Sequence, residues 1–202
     1  MYRYIAMEPK RTEYYPKNRA AWRKWLEKNH VIKQNVWLVI CKKDSGKPFV
    51  SYNDAVEEAL CFGWIDSTAN KRDEESYYLL VAKRKPKSPW SGLNKKRVEK
   101  LLKENKMTEA GLQKIAAAKK DGSWKLLDKI EALEMPSSLK KGFAKNKAGL
   151  KNFMLFPPSV KKQLYHWVES AKTDSTKQKR IEETVSLAEK NIRANQWKPK
   201  SK

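Results

Sequence analysis

The chain runs to 202 residues with 45 Lys+Arg against 23 Asp+Glu, a formal net charge of +22, and 40% of it is hydrophobic, including 8 Trp. That apolar share supports a folded core in one domain, or one domain with a smaller appendage, and argues against a disordered chain. Its longest apolar run, Val36 to Cys41, is far shorter than the roughly 20 residues a membrane-spanning helix needs. With only Cys41 and Cys61 present, neither a disulfide framework nor a four-thiolate zinc site can form within the chain.

Taken in chain order, residues 18–28 place Ala21, Trp22, Trp25 and Leu26 at helical spacing, with Asn29 as the stop. Val36 to Lys42 reads as a buried strand, and Asp44-Ser-Gly46 as a turn. Ser51 with Asp54 opens a helix whose Tyr52, Val56, Ala59, Leu60 and Gly63 share one face. Trp64 to Ala69 and Ser76 to Ala82 are the next strands, a hairpin or meander around the charged Asn70–Glu75, and Pro86 and Pro89 close the β portion.

Beyond Trp90 the spacing predicts helices. Val98, Leu101 and Leu102 mark one, and Leu112, Ile115 and Ala116 mark a second that Thr108 caps and Gly122 stops. Shorter apolar pieces follow from Trp124 to Leu133 and around Leu139 and Phe143, broken by Pro136. After Pro157-Pro158, the residues Val160, Leu164, Trp167, Val168 and Ala171 keep an amphipathic period, and Ser175 with Gln178 makes a capping box for a last helix carrying Ile181, Val185, Ala188 and Ile192. The expected fold is α+β: a small, mainly antiparallel sheet with helices over residues 1–90, then a helical portion over residues 91–202 ending in an α-hairpin at 159–194, the whole packed as one compact unit.

Charge follows the same division. Residues 1–80 hold 14 Lys+Arg and 11 Asp+Glu, whereas residues 81–202 hold 31 and 12. The excess would draw an anionic partner, be it protein, nucleic acid or membrane surface. A plain solvating surface competes as a reading, because 36 of the basic residues are Lys and 9 are Arg, and specific anion recognition favours the arginine fork. Lys95, Lys96, Arg97, Lys100 and Lys103 on one predicted helix, with Arg180, form the candidate anionic-partner patch.

Signatures of chemistry are sparse. The sequence contains no glycine-rich phosphate loop, no G-x-S-x-G, no H-E-x-x-H and no C-x-x-C. His30 and His166 are the two histidines, in segments of different type, and neither has a metal-ligand partner at suitable spacing. Cys41 and Cys61 sit in apolar contexts that suit inert thiols. No catalytic residue, metal site or cofactor is therefore assigned. The one dense stretch is Leu60-Cys-Phe-Gly-Trp-Ile-Asp66 followed by Arg84-Lys-Pro-Lys-Ser-Pro-Trp-Ser91. Trp64, Asp66, Arg84, Ser88, Trp90 and Asn94 could line a ligand or partner pocket with aromatic walls. Equally, Trp64 could be core, Asp66 and Arg84 a cross-strand ion pair, and Ser88 or Ser91 a helix cap.

These segments, Gly63-Trp-Ile-Asp66, Arg84 with Ser88-Pro-Trp-Ser91 and Asn94, Arg97-Val98, Met107-Thr-Glu-Ala-Gly-Leu112, Ala118-Lys-Lys-Asp-Gly-Ser-Trp124 and the run Ser159–Lys172 with Thr176-Lys-Gln-Lys-Arg-Ile181, resemble the YdeI/OmpD-associated bacteriocin-protection family over roughly residues 17–195. Lys177 stands where that family's C-terminal signature has its first Arg. The resemblance implies a cytoplasmic protein tied to tolerance of bacteriocins or cationic antimicrobial peptides, with a small sheet followed by a helical region, and it brings no catalytic reaction with it. The absence of an apolar h-region within Met1–Lys10 agrees with a cytoplasmic location. Three readings stand in order: a non-enzymatic tolerance protein acting through a partner, a nucleic-acid binder using the basic helices, and a small-molecule protein or enzyme built on the Trp64/Asp66/Arg84/Trp90 cleft.

Overall fold

The computed structural model describes residues 12–196. The chain folds as two compact units, one ending at Lys125 and the other starting at Leu126. The architecture is α+β, and among the described residues every strand precedes Trp90.

In the first unit the order is β1 (Glu13–Tyr14), α1 (Arg19–Asn29), β2 (Asn35–Cys41), α2 (Tyr52–Cys61), β3 (Trp64–Lys71), β4 (Ser76–Lys83), α3 (Gly92–Lys103) and α4 (Glu109–Lys120). The sheet runs β1-β2-β4-β3, with β1 parallel to β2 and the other pairings antiparallel. Strand β2 is buried along most of its length rather than on alternate residues, as its unbroken apolar run requires. Its Val36, Leu38 and Ile40 join the main core. The two-residue β1 carries no periodicity and was not anticipated; its Tyr14 stacks on Trp25 at 5.6 Å, and Trp25 on Trp22 at 5.2 Å.

Helix α2 runs through the middle of this unit. Ser51 caps it, its hydroxyl accepting from the Asp54 N–H at 3.1 Å, and all seven residues from Ala55 to Cys61 are buried. It packs against α1, β3, α3 and α4. The 90/91 line marks the change from strands to helices, but the compact unit continues past it, because α3 and α4 bury Val98, Leu101, Ile115 and Ala118 in the same core. Thr108 precedes α4 without capping it; its hydroxyl donates instead to the Cys61 carbonyl at 2.6 Å. That bond ties the start of α4 to the end of α2.

In the second unit the helices are α5 (Asp128–Glu131), α6 (Ser137–Phe143), α7 (Lys147–Met154), α8 (Pro158–Glu169) and α9 (Asp174–Glu189). Helices α8 and α9 form the expected hairpin, and α9 also packs on α6 and α7. The core gathers Leu139, Phe143, Phe153, Leu164, Val168 and Ile181. Two local expectations change. Thr173, not Ser175, caps α9, its hydroxyl accepting from the Thr176 N–H at 3.2 Å, so the helix begins earlier than the capping-box pattern suggests. Ile192 is 50% exposed because α9 ends at Glu189 and Asn191 turns into the left-handed region at φ +55°. Helix α7, which the sequence pattern left out, begins at a cap formed by Asn146 and the Gly149 N–H, 2.7 Å apart.

Candidate functional site

Strands β3 and β4 bring the dense motif together. Trp64 pairs with Lys83, and the Arg84 N–H donates to the Gly63 carbonyl at 3.0 Å, so the loop from Arg84 to Trp90 leaves the sheet beside the start of β3. The Ser88 N–H and hydroxyl both donate to the Lys85 carbonyl, at 3.4 and 2.8 Å. Lys87 sits in the left-handed region at φ +59°, and its N–H donates to Asp121 at 3.3 Å. The loop thereby folds back and lays Trp90 against Arg84, with Cζ 3.7 Å from the ring centroid.

Arg84 is 4% exposed and Trp90 1%. The Arg84 Nη2 donates to the Pro89 carbonyl, while Nε and Nη1 are sealed from solvent with no acceptor. A buried donor left unpaired costs about 1–3 kcal/mol, and more when charged. Burial pulls the Arg84 guanidinium down to about 10, with the charge of Asp66 opposing; it remains protonated at neutral pH. Arg84, Ser88 and Trp90, together with Lys85, Lys87, Lys114 and Asp121, line a cleft of ≈ 60 Å³.

The other residues of the predicted pocket are placed elsewhere. Trp64 is core, edge-on to Trp25 at 6.1 Å, and its Nε1 has no partner. Asp66 does not pair with Arg84; it accepts from the Tyr52 hydroxyl at 2.6 Å, and burial with that bond pushes Tyr52 up to about 12. Asn94 accepts from Arg97 Nη1 at 2.8 Å, and Arg97 Nη2 donates to Asn53 at 2.7 Å.

The basic patch is partly spent inside the fold. Lys100 pairs with Glu57 at 2.8 Å, Arg97 is held as above, and the Lys95 ammonium lies 5.4 Å from the Trp124 ring. Lys96 and Lys103 are exposed. Arg180 belongs to the second unit, where it donates to the Trp167 carbonyl at 2.6 Å and lies over the Trp167 ring at 5.2 Å.

Two features escaped the sequence reading. The first is an ion network in which Arg19 meets Asp54, Glu57 and Glu58 at 2.6, 2.9 and 2.6 Å, and Arg23 meets Glu58 at 2.8 Å. Its signal was available: acids at i, i+3 and i+4 on α2 and guanidiniums at i and i+4 on α1 each share one helical face. The second is a groove of ≈ 550 Å³ in the second unit, with Ile130, Met135 and His166 among its apolar and aromatic walls and Lys129, Lys140 and Lys177 among its cations. A neighbouring pocket of ≈ 330 Å³ shares Leu127, Ile130, His166 and Ser170 with it and adds Trp167. The exposed His166 thus stands at the junction of the two. Glu169 there accepts from Ser138 and Lys177, each at 3.0 Å.

Among the described residues no cluster of three or more His, Cys, Asp or Glu is suited to hold a metal ion, and no helix is long and apolar enough to cross a membrane. Compared with known families, residues 14–114 match the one described as Domain of unknown function (DUF8412), and residues 132–191 match the one described as Bacteriocin-protection, YdeI or OmpD-Associated. No curated protein and no solved structure matches the chain.

Proposed function

Because the chain belongs to the family of unknown function matched over its first half and carries a YdeI/OmpD-associated bacteriocin-protection domain behind it, we propose that it is a non-enzymatic cytoplasmic tolerance protein that acts by binding a partner. The observation that carries this reading is the position of the ≈ 550 Å³ groove: Met135, Lys140, His166, Glu169 and Lys177 of its lining all fall inside the segment matched to the protection family. Grooves that mix an apolar floor with a few charged groups are the usual seats of ligands and partner segments.

The partner is anionic rather than a cationic peptide. At a formal net charge of +22 the protein repels polycations at range, so direct capture of cationic antimicrobial peptides is disfavoured, and an indirect route to tolerance suits the electrostatics. Support for the nucleic-acid reading is thinner, since Arg97 and Lys100 of the α3 patch are engaged within the fold.

The test is genetic. A strain lacking the gene is expected to be inhibited by lower concentrations of cationic peptides than its parent. The wild-type gene is expected to restore growth, and a Lys129→Glu/Lys140→Glu version, altered at two exposed groove lysines, is expected not to. Unchanged sensitivity of the deletion strain overturns the tolerance reading, and full rescue by the double variant removes the groove from it.

A further inference from the structure

A second site, independent of the partner reading, lies in the first unit. We infer that the cleft at Arg84 is an oxyanion site, shaped to take the carboxylate or phosphate group of a small acidic ligand.

Arg84 supplies the recognition. Its guanidinium face is occupied, since Cζ lies 3.7 Å from the Trp90 ring centroid and Trp124 supports that ring from 5.0 Å. Stacking on a ring uses the face of the guanidinium and leaves its edge, where the N–H groups lie in plane, for acceptors. On that edge Nη2 is taken by the Pro89 carbonyl, whereas Nε and Nη1 meet nothing. The side chain is buried to 4% exposure and forms part of the cleft wall. Folded proteins seldom bury an unpaired charge unless something pairs with it in use.

The surroundings favour an anion. Lys85, Lys87 and Lys114 line the same cleft, against one carboxylate, Asp121. That carboxylate is already engaged, accepting from the Ser123 N–H at 2.9 Å and the Lys87 N–H at 3.3 Å, and these bonds from Ser123 and Lys87 hold its pKa below the usual range. Asp66, whose field also reaches Arg84, is bonded to Tyr52 and does not line the cleft. No resident carboxylate therefore closes on the guanidinium.

Size suits a small anionic head. A space of ≈ 60 Å³ exceeds the roughly 10–15 Å³ that a cavity needs to hold one water, enough for a carboxylate or phosphate head. Lys85, Pro86 and Lys87 at the mouth are exposed, so the rest of a larger ligand would lie outside, against them.

The experiment uses the full chain labelled with ¹⁵N and titrates sodium phosphate and sodium acetate separately at constant ionic strength, following the Arg84 Nε–H resonance, identified by its loss in Arg84→Lys. Saturable movement of that resonance with phosphate, acetate or both supports the site, and the effective salt tells whether phosphoryl or carboxyl ligands are favoured. Lys114→Ala keeps Arg84 in place and is expected to weaken the effect about tenfold. If neither salt moves the resonance, or if Lys114→Ala and calorimetry on Arg84→Lys give wild-type affinity, the proposal is overturned.

Discussion

Arg19 Nε lies 2.6 Å from Glu58 Oε1, joining a guanidinium of α1 to a carboxylate of α2 whose side chain is 3% exposed. The same carboxylate receives Arg23 at 2.8 Å. Removing one member of a buried pair leaves its partners charged and unmatched, which costs about 3–5 kcal/mol. Glu58→Ala is therefore expected to lower unfolding stability by about 3 kcal/mol in urea, the low end because both arginines keep some contact with water. Lys100→Ala, removing a half-exposed ammonium from Glu57, is expected to cost far less, because an exposed ion pair is screened by water. Equal effects of the two would contradict this account.

Helices α2 and α4 touch at Gly111. A Cβ there would stand 2.3 Å from the Cys61 carbonyl oxygen and 2.7 Å from Met107 Cε. The first of these is backbone that the Thr108 hydroxyl already holds, so it cannot step aside cheaply. Gly111→Ala is expected to destabilise the first unit by about 3 kcal/mol, the cost of severe overpacking, although alanine is the better helix former. Thermal unfolding by calorimetry checks this; a stabilised variant would show that the helices separate freely.

Both thiols are buried, and burial pushes Cys61 up to about 11. Native protein at pH 8 is expected to resist iodoacetamide at both positions, whereas protein unfolded in guanidinium takes two alkyl groups by mass spectrometry. The sign with pH follows. The unfolded thiol loses its proton near 9 and the folded one only near 11, so the folded state binds more protons in that window and Cys61 contributes a fall in stability as pH rises through it. Cys61→Ala should flatten the alkaline limb of the stability profile between those values.

The unmet charge on Arg84 makes an unusual expectation for a buried residue. Its folded value of about 10 lies well below that of a free arginine, so the unfolded chain holds this proton more tightly, and the charged group opposes folding at neutral pH. Replacing buried ions by apolar side chains of similar volume is commonly neutral or stabilising by about 1–4 kcal/mol. Arg84→Met in phosphate-free buffer is expected to unfold at the wild-type urea concentration or above. A loss beyond about 2 kcal/mol would mean that stacking on Trp90 outweighs the desolvation.

Much of the fold could be read from local chemistry. Ser51 and Asp54 announced the cap of α2, the run Val36–Cys41 announced β2, and Pro157-Pro158 announced α8, because caps, strands and proline starts are written in neighbouring residues. What escaped depended on partners distant in sequence. Strand β1 exists through its pairing with Trp37 and Leu38, and the groove around His166 exists only once α5, α6 and α8 are side by side. The motif residues divided on the same principle: Arg84 and Trp90 lie six positions apart and Asn94 and Arg97 three apart on one helix, whereas the choice of Tyr52 by Asp66 rested on the packing of α2 against β3, which spacing does not encode.

Strand β3 is the outermost in the order β1-β2-β4-β3, and its residues from Ser67 to Lys71 are exposed. A bare rim of this kind is where a second copy could zip on and start a fibril. The pairing with β4 shifts register between Asp66 and Ala69, interrupting the row of amides that an incoming strand would need, and Lys71 at its end sets a like charge against any identical neighbour. The irregularity that follows Asp66 thus guards the molecule against its own copies at high concentration.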